Sequence, residues 1–223
     1  NAITDELLYE LDRRNVVLIE DVCESHGAMF KNQKLGTFGL MSNFSYYFAH
    51  HLSTIEGGMV CTNEPTIYQM LRMYRSHGMV REISDKEMRR EYQENNESLN
   101  PDFIFAFPAY NLRNTELGAI IGRNQLKRLD QNNSKRIKNH GLFLELLDDR
   151  RFRTDFSLDG SCNYAFNVIL KEANLKLRDK IEEAMSKSAV EFRRGSAGGG
   201  NQMRQPYLKG IVEVGEWDNF PEV

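Results

Sequence analysis

A short apolar run at residues 16–19 (VVLI), ended by Glu20 and Asp21, constrains the fold more than any other part of this sequence. Such a run, rich in β-branched residues, is typical of a strand that is buried on both faces of a parallel sheet. Residues 4–14 before it have the pattern of an amphipathic helix, with Thr4 available as its cap. A helix that leads directly into a buried strand predicts an α/β fold.

Asp21 is the first candidate for a functional residue. Open α/β sheets bind their ligands at the carboxyl ends of the strands, which is where this acid is predicted to lie. Taken alone, it would fit equally well as an exposed acid at the end of a strand. Its interpretation therefore depends on the motifs that follow it.

Periodicity and turn residues predict the remaining elements of the chain. Strands are predicted at 43–48, 58–62, 152–156, 164–170 and 190–194, and helices at 67–76, 115–149 and 175–186. Two polar stretches stand out: residues 81–100 are expected to form a solvated loop, and residues 130–133 a break or bend in the long helix. The mixture of strands and helix after residue 150 predicts a small α+β domain beside the first.

Composition limits the classes of function. The chain has 223 residues, 40% of them hydrophobic and 27% charged, with a net charge of -3, which predicts a globular protein and no binding to nucleic acid or to an acidic membrane. No apolar run is long enough to span a bilayer. Cys23, Cys61 and Cys162 are odd in number and widely spaced, which suits a reducing cytoplasm better than a disulfide framework. They cannot supply four thiolates for an iron–sulfur cluster, and no metal site is predicted.

Five short segments carry a specific pattern because they follow one another in a fixed order, although each is weak alone. They are residues 16–28, 34–39, 44–58, 75–78 and 109–119. Together they resemble the DegT/StrS-type nucleotide-sugar aminotransferases over most of residues 1–130, and more loosely afterwards. The resemblance implies an aspartate-aminotransferase-like, type I pyridoxal phosphate (PLP) fold of the α/β class.

The resemblance also implies a domain organisation. Residues 1–130 are expected to form the C-terminal half of the PLP-binding large domain, 131–150 a connecting helix, and 151–223 a small C-terminal domain. The family's phosphate loop would come before residue 16, and its closing helices after residue 223. The chain is therefore expected to be a fragment, truncated at both ends.

His50 departs from the family pattern. It stands where the family has the lysine that binds PLP covalently, as counted back from Glu56-Gly57-Gly58. A shift of one residue would place His51 there, but the count favours His50. An imidazole cannot anchor the cofactor in this way, but it can accept and return protons near neutral pH.

Four further residues receive cofactor roles from the resemblance. Asp21 would pair with the protonated pyridine nitrogen of PLP, and Glu24, itself a departure from the family's usual amide or imidazole, would lie near the phenolic oxygen. Ser45 would contact the phosphate. Asn111 would reach the cofactor of a neighbouring subunit, which predicts a homodimer with shared active sites.

Three weaker candidates concern the substrate. Glu56, Arg113 and Arg193 are matched to positions that could bind a carboxylate or a diphosphate, but structural ion pairs would explain them equally well. The glycine-rich residues 193–201 have the composition of a flexible anion-binding loop, which is a signal of low specificity.

The histidine replacement resembles one branch of the family, which removes the C3 hydroxyl of a nucleotide-linked 4-keto-6-deoxy sugar in the synthesis of lipopolysaccharide O-antigen. In that branch glutamate converts PLP to pyridoxamine phosphate (PMP), leaving 2-oxoglutarate. The prediction is a PLP/PMP-dependent 3-dehydratase in which His50 moves the protons. An aminotransferase would instead need a replacement lysine, for which Lys31 and Lys34 are the nearest upstream, and a non-catalytic fragment or relative is the third alternative.

Overall fold

The first helix and strand lie close to their predicted positions in the computed structural model, which describes residues 2–193 and 206–208. Helix α1 (Asp5–Arg13) begins after Thr4, whose hydroxyl oxygen accepts a hydrogen bond of 3.1 Å from the backbone N–H of Leu7. Strand β1 (Ile19–Asp21) is shorter than predicted and begins later. Val16 and Val17 before it are 52% and 63% exposed, because ladder pairing with the neighbouring strand begins only at Ile19.

A mixed sheet of three strands, in the order β1–β4–β5, carries the site. Strand β4 (Met41–Ser45) runs parallel to β1, and β5 (Gly58–Thr62) runs antiparallel to β4. The strand predicted at 58–62 is confirmed, whereas the one predicted at 43–48 ends at residue 45. Strands β2 (Met29–Phe30) and β3 (Gln33–Lys34) form a separate two-stranded hairpin. Because β1 and β4 are parallel, their carboxyl ends lie at one edge of the sheet.

Buried Glu20 connects β1 to the loop that precedes β4. Its side chain is 6% exposed, and its carboxylate accepts hydrogen bonds from the backbone N–H groups of Gly36 at 2.6 Å, Phe38 at 2.7 Å and Gly39 at 2.8 Å. Gly36 has φ +94°, and a Cβ there would lie 2.8 Å from the ring of Phe44. Glu20 thus anchors the loop from which β4 enters the sheet beside β1.

The charged segment at 81–100 is not the solvated loop that was expected. Helix α2 (Pro65–Tyr74), close to the predicted 67–76, is followed by a 3₁₀ turn (Val80–Glu82), helix α3 (Lys86–Glu94) and a second 3₁₀ turn (Pro101–Phe103). The side chain of Asp85 caps α3 by accepting from two backbone N–H groups. The prediction was wrong because Met88 and Tyr92, four residues apart, give this polar helix an apolar side. Both side chains pack against the buried cluster of Met73, Val80, Ile83 and Ile104.

Helix α4 (Glu116–Leu146) continues through residues 130–133, where a break or bend was predicted. Asn133 in this stretch is 6% exposed, and its side-chain amide donates a 2.8 Å hydrogen bond to the backbone carbonyl of His26. Gly27 makes room for the contact, because a Cβ there would lie 2.5 Å from the Asn133 amide nitrogen. The polar stretch is thus explained by a buried long-range contact.

The chain divides into two compact units, the first ending at Ile169 and the second beginning at Leu170. The first unit runs past residues 130 and 150, and the domain boundaries expected there stay predictions. In the second unit, helix α5 (Leu175–Lys187) confirms the helix predicted at 175–186, and its cap Asn174 accepts from the backbone N–H of Leu177 at 2.9 Å. A further 3₁₀ turn (Pro206–Leu208) is described.

The strands predicted after residue 150 are not formed: within residues 2–193 and 206–208 no strand follows β5. The segments predicted as strands at 152–156 and 164–170 are connected by a hydrogen bond from the N–H of Arg153 to the carbonyl of Ile169 at 2.8 Å. Residues 194–201, most of the expected anion-binding loop, lie outside the described residues. No helix of the described part is long and apolar enough to cross a membrane.

Candidate active site at the carboxyl ends of β1 and β4

Asp21 lies where β1 ends, and its carboxylate is held from two sides. Its Oδ1 accepts hydrogen bonds from the side-chain amide of Asn43 at 3.0 Å and from the backbone N–H of Cys23 at 3.1 Å. The thiol and backbone N–H of Cys23, with smaller contributions from Asn43 and the charge of His50, hold the pKa of Asp21 below its ordinary value. The carboxylate therefore stays ionised and can pair with a cationic ligand group.

Asn43 is a site residue that the motif reasoning missed. It lies directly opposite Asp21 in the parallel ladder of β1 and β4, and its amide also lies 3.2 Å from the Cys23 sulfur. Burial, reinforced by the Asp21 carboxylate, raises the pKa of the Cys23 thiol to about 11, so this thiol stays protonated. Only the register of the two strands shows that the amide meets the acid.

His50 follows β4 and has a defined orientation. Its Nδ1 lies 3.2 Å from the backbone carbonyl oxygen of Ser45. Because a carbonyl can only accept, Nδ1 must carry the hydrogen, and the lone pair of the neutral ring is on Nε2. The rings of Tyr47 and Tyr164 lie edge-on to the imidazole, at centroid distances of 5.4 Å and 5.3 Å. His50 is thus oriented as a proton acceptor through Nε2.

His51, the alternative to His50, faces the protein interior. It is 5% exposed, and its Nε2 lies 3.1 Å from the backbone carbonyl oxygen of Asn163. Its ring also packs against that of His26, which is 3% exposed and which the motif reasoning left without a role. These contacts favour His50 over His51 as the residue that faces a ligand.

Ser45 and Glu24 complete the edge of the sheet. Ser45, half-buried at the end of β4, accepts a 3.3 Å hydrogen bond from the backbone N–H of Tyr47 and keeps its hydroxyl hydrogen for another acceptor. Glu24 is exposed in the turn after β1, and its charge contributes to the raised pKa of Cys23. An ionised carboxylate, a hydroxyl donor and an imidazole at one edge can together hold a ligand that has a cationic ring nitrogen and an anionic group.

The other predicted residues are exposed, and their roles stay predictions. Arg113 donates through Nε to the side-chain oxygen of Asn111 at 3.3 Å, and the backbone of Asn111 bridges to Ser76. Glu56 accepts a 2.9 Å hydrogen bond from the Thr54 hydroxyl, but at its backbone carbonyl. Arg193 belongs to the second compact unit.

The chain belongs to the DegT/DnrJ/EryC1/StrS aminotransferase family, whose model matches residues 5–196. Within it, the chain is 34% identical to GDP-4-keto-6-deoxy-D-mannose 3-dehydratase of Escherichia coli over 190 residues, 85% of this chain and 49% of the relative. It is 28% identical to the lipopolysaccharide biosynthesis protein RfbH of Salmonella typhimurium, over 95% of this chain and 51% of that one.

Solved structures agree with this placement. The Escherichia coli GDP-4-keto-6-deoxy-D-mannose-3-dehydratase with bound hydrated PLP is 31% identical, with a TM-score of 0.71 over 93% of this chain and 51% of that one. The aminotransferase PseC of Helicobacter pylori, 21% identical with a TM-score of 0.65, covers 82% of this chain and 46% of that one and shows the fold alone. The predicted family and fold class are confirmed. The chain spans about half the length of the curated relatives it matches.

Proposed function

We propose that the protein is a PLP/PMP-dependent 3-dehydratase, which removes the C3 hydroxyl of a nucleotide-linked 4-keto-6-deoxy sugar with glutamate as the amino donor. The observation that carries the proposal is the orientation of His50, whose Nδ1 donates to the Ser45 carbonyl, so that Nε2 can accept a proton. Counting back from Glu56-Gly57-Gly58 matches His50 to the position of the family's lysine. Two relatives from different organisms named GDP-4-keto-6-deoxy-D-mannose 3-dehydratase support it. One solved structure of that enzyme holds a trapped PLP–glutamate geminal diamine.

The residues at the site fit PLP and PMP. Asp21 is kept ionised by Asn43 and Cys23, as a partner for a protonated pyridine nitrogen must be. The Ser45 hydroxyl is available to a phosphate oxygen, and Glu24 is assigned to the side of the phenolic oxygen. When bound, the cofactor supplies a ring that withdraws electrons from an adjacent carbon and carries an amino group between glutamate and the sugar.

His50 moves the protons in this proposal. Its Nε2 takes a proton, becomes an imidazolium and later returns the proton. Atoms and electrons balance: the C3–OH bond becomes C3–H, glutamate is oxidised to 2-oxoglutarate, ammonia is released, and there is no net consumption of water. Without a lysine at this position, a covalent bond from position 50 to the cofactor does not compete with the sugar.

An aminotransferase of the same family is the second candidate, and the relative that favours it is the GDP-perosamine synthase of Caulobacter vibrioides, 28% identical over 85% of this chain. An aminotransferase would need a lysine to bind PLP covalently in place of His50. Lys31 is paired with Asp5, with 2.6 Å between Nζ and a carboxylate oxygen, and Lys34 is exposed on β3. Neither lysine is therefore well placed for that role. A non-catalytic fragment or relative is the third candidate.

We further infer a cytoplasmic homodimer in which Asn111 of one subunit contacts the cofactor of the other. The exposure of Asn111 and of its partner Arg113 is consistent with contact to a second chain. Arg113, Arg193 and Glu56 are proposed to contact the substrate, and the free thiols of Cys23, Cys61 and Cys162 suit a reducing compartment.

Mass spectrometry of the full-length protein after addition of PLP and borohydride tests the proposal. The expected result is no PLP-sized increment on any lysine, together with glutamate-dependent conversion of bound PLP to PMP. An increment on a lysine would return the protein to the aminotransferases. If neither PLP nor PMP bound, the non-catalytic alternative would stand.

A further inference from the structure

Four polar residues are packed together behind His50. We refer to His26, His51, Asn133 and Asn163 as the histidine–asparagine cluster. The rings of His26 and His51 lie 5.7 Å apart, the Asn133 amide donates to the carbonyl of His26 at 2.8 Å, and His51 Nε2 lies 3.1 Å from the carbonyl of Asn163. The cluster thus joins the turn after β1, the turn after β4, helix α4 and the segment at Asn163 within the first compact unit.

Five atoms of the cluster are buried and have no hydrogen-bond partner among the residues that the structure describes. They are His26 Nε2, His51 Nδ1, Asn133 Oδ1 and both amide atoms of Asn163. A buried polar atom without a partner is costly, and five together would cost as much as the whole net stability of a typical domain. The fold can therefore retain them only if a further group bonds to them.

The chemistry of these atoms fits water. His51 Nδ1 is an acceptor because Nε2 carries the hydrogen that is donated to Asn163, and Asn133 Oδ1 is an acceptor because its amide nitrogen is the donor to His26. The Asn163 amide offers one acceptor and a donor. One water molecule donates twice and accepts twice, so it can bond to more than one buried atom of this kind. The atoms have essentially no solvent-accessible surface, so a larger ligand could not reach them.

The charge state of the cluster supports a neutral occupant. Burial, with the charges of His51 and His50, lowers the pKa of His26 to about 4. Burial and the nearby Arg136 lower the pKa of His51 as well, although its backbone hydrogen bonds oppose the shift. Two neutral imidazoles offer no positive charge to hold an anion, and water needs none.

The cluster lies against the His50 ring. The His26 ring contacts that of His50 at a centroid distance of 6.4 Å, and the Tyr164 ring contacts both His50 at 5.3 Å and His51 at 6.3 Å. His51 also follows His50 directly in the chain. We propose that the histidine–asparagine cluster encloses at least one water molecule, and that His26 and His51, through the contacts just described, are positioning residues for His50. The positioning role rests on the proposed function; the water site does not.

A high-resolution crystal structure of the full-length protein tests the water site. The expected result is an ordered water at about 2.7–3.2 Å from His51 Nδ1 and from at least one other unpaired atom of the cluster. Direct hydrogen bonds among the four side chains, with no enclosed water, would overturn the inference. This measurement needs no variant and no substrate.

Variants at position 26 test the positioning role. His26→Phe is expected to lower kcat by about 10–100-fold with an unchanged KM for the sugar, because a small misplacement of a proton-transferring group costs rate and not binding. His26→Gln, which keeps polar atoms at the site, should recover most of the rate. His140→Phe is the matched control: it is the same replacement on helix α4, where the ring contacts Phe166 outside the cluster.

A spectroscopic readout separates this inference from the proposed function. In protein labelled with ¹⁵N-histidine, His50 should show hydrogen on Nδ1, and His26→Phe should change that signal while His140→Phe leaves it unchanged. If the unmodified protein turned over no sugar, the dehydratase proposal would fail and the His50 signal would still decide the role of His26. An unchanged His50 signal and an unchanged kcat in His26→Phe would refute the positioning role. If His26→Phe did not fold, the His50 signal would be measured in His26→Gln and Asn133→Leu instead, and an unchanged signal in both would refute the positioning role.

Discussion

Replacing Glu20 by glutamine should destabilise the protein, although the two side chains have almost the same shape. The carboxylate accepts two backbone N–H groups at Oε1 and one at Oε2, and all three donors belong to the loop that leads into β4. Glutamine keeps one oxygen and turns the other into an N–H donor. If the remaining oxygen accepts from Phe38 and Gly39, the new amide nitrogen takes the place of the oxygen that accepted from Gly36 at 2.6 Å. Two N–H donors then face each other, and the hydrogen bond to Gly36 is lost.

The magnitude follows from what is lost. A hydrogen bond to a charged group contributes about 1.5–3 kcal/mol, and a buried donor left unpaired costs about 1–3 kcal/mol. With two of three bonds weakened and one lost, Glu20→Gln should lower the free energy of unfolding by about 2–4 kcal/mol. For a domain of this size about 2–4 °C of Tm corresponds to each kcal/mol, so the apparent Tm should fall by about 4–16 °C.

Thermal unfolding of the full-length protein at fixed concentration measures this difference. Glu97→Gln, the same replacement at an exposed position after α3, is the control and should leave Tm unchanged. Since the loop positions β4 beside Asp21, the Glu20→Gln variant should also bind PLP more weakly. If its Tm matched that of the control, Glu20 would not be the charged anchor of this loop.

The remaining predictions concern the site and its pH dependence. Asp21→Asn should lower kcat by about 10²–10³-fold while the Kd for PLP changes far less, because the amide keeps the shape and loses the charge; parallel losses in both would contradict this. His50→Lys should produce a PLP-sized increment at position 50 after borohydride, and its absence would mean that the anchor position is wrongly assigned. Because burial holds the pKa of His26 at about 4, the unfolded chain binds more protons than the folded one between about pH 6.5 and 4, so stability must fall as the pH falls through this window. The loss should reach up to about 3 kcal/mol and be smaller in His26→Phe, as urea unfolding at about pH 7 and 4.5 would show.

The sequence by itself determined the parts of this protein that depend on neighbouring residues. Helix α1 begins at the cap that Thr4 predicts, β5 lies at the predicted residues, and α5 is within one residue of its predicted end. These features depend on caps and periodicity, which a short window of sequence contains. The order of the short motifs indicated the family, and it marked His50 as the departure from it.

Only the tertiary structure decided which polar residues are buried and what they contact. Asn43 meets Asp21 through the register of two strands that lie 22 residues apart in sequence. Asn133, read as a helix break because it is polar, bonds to a carbonyl 107 residues away, and His51 bonds to one 112 residues away. A polar side chain in the sequence looks the same whether water or a distant backbone group satisfies it, since the partner is set by how the whole chain packs.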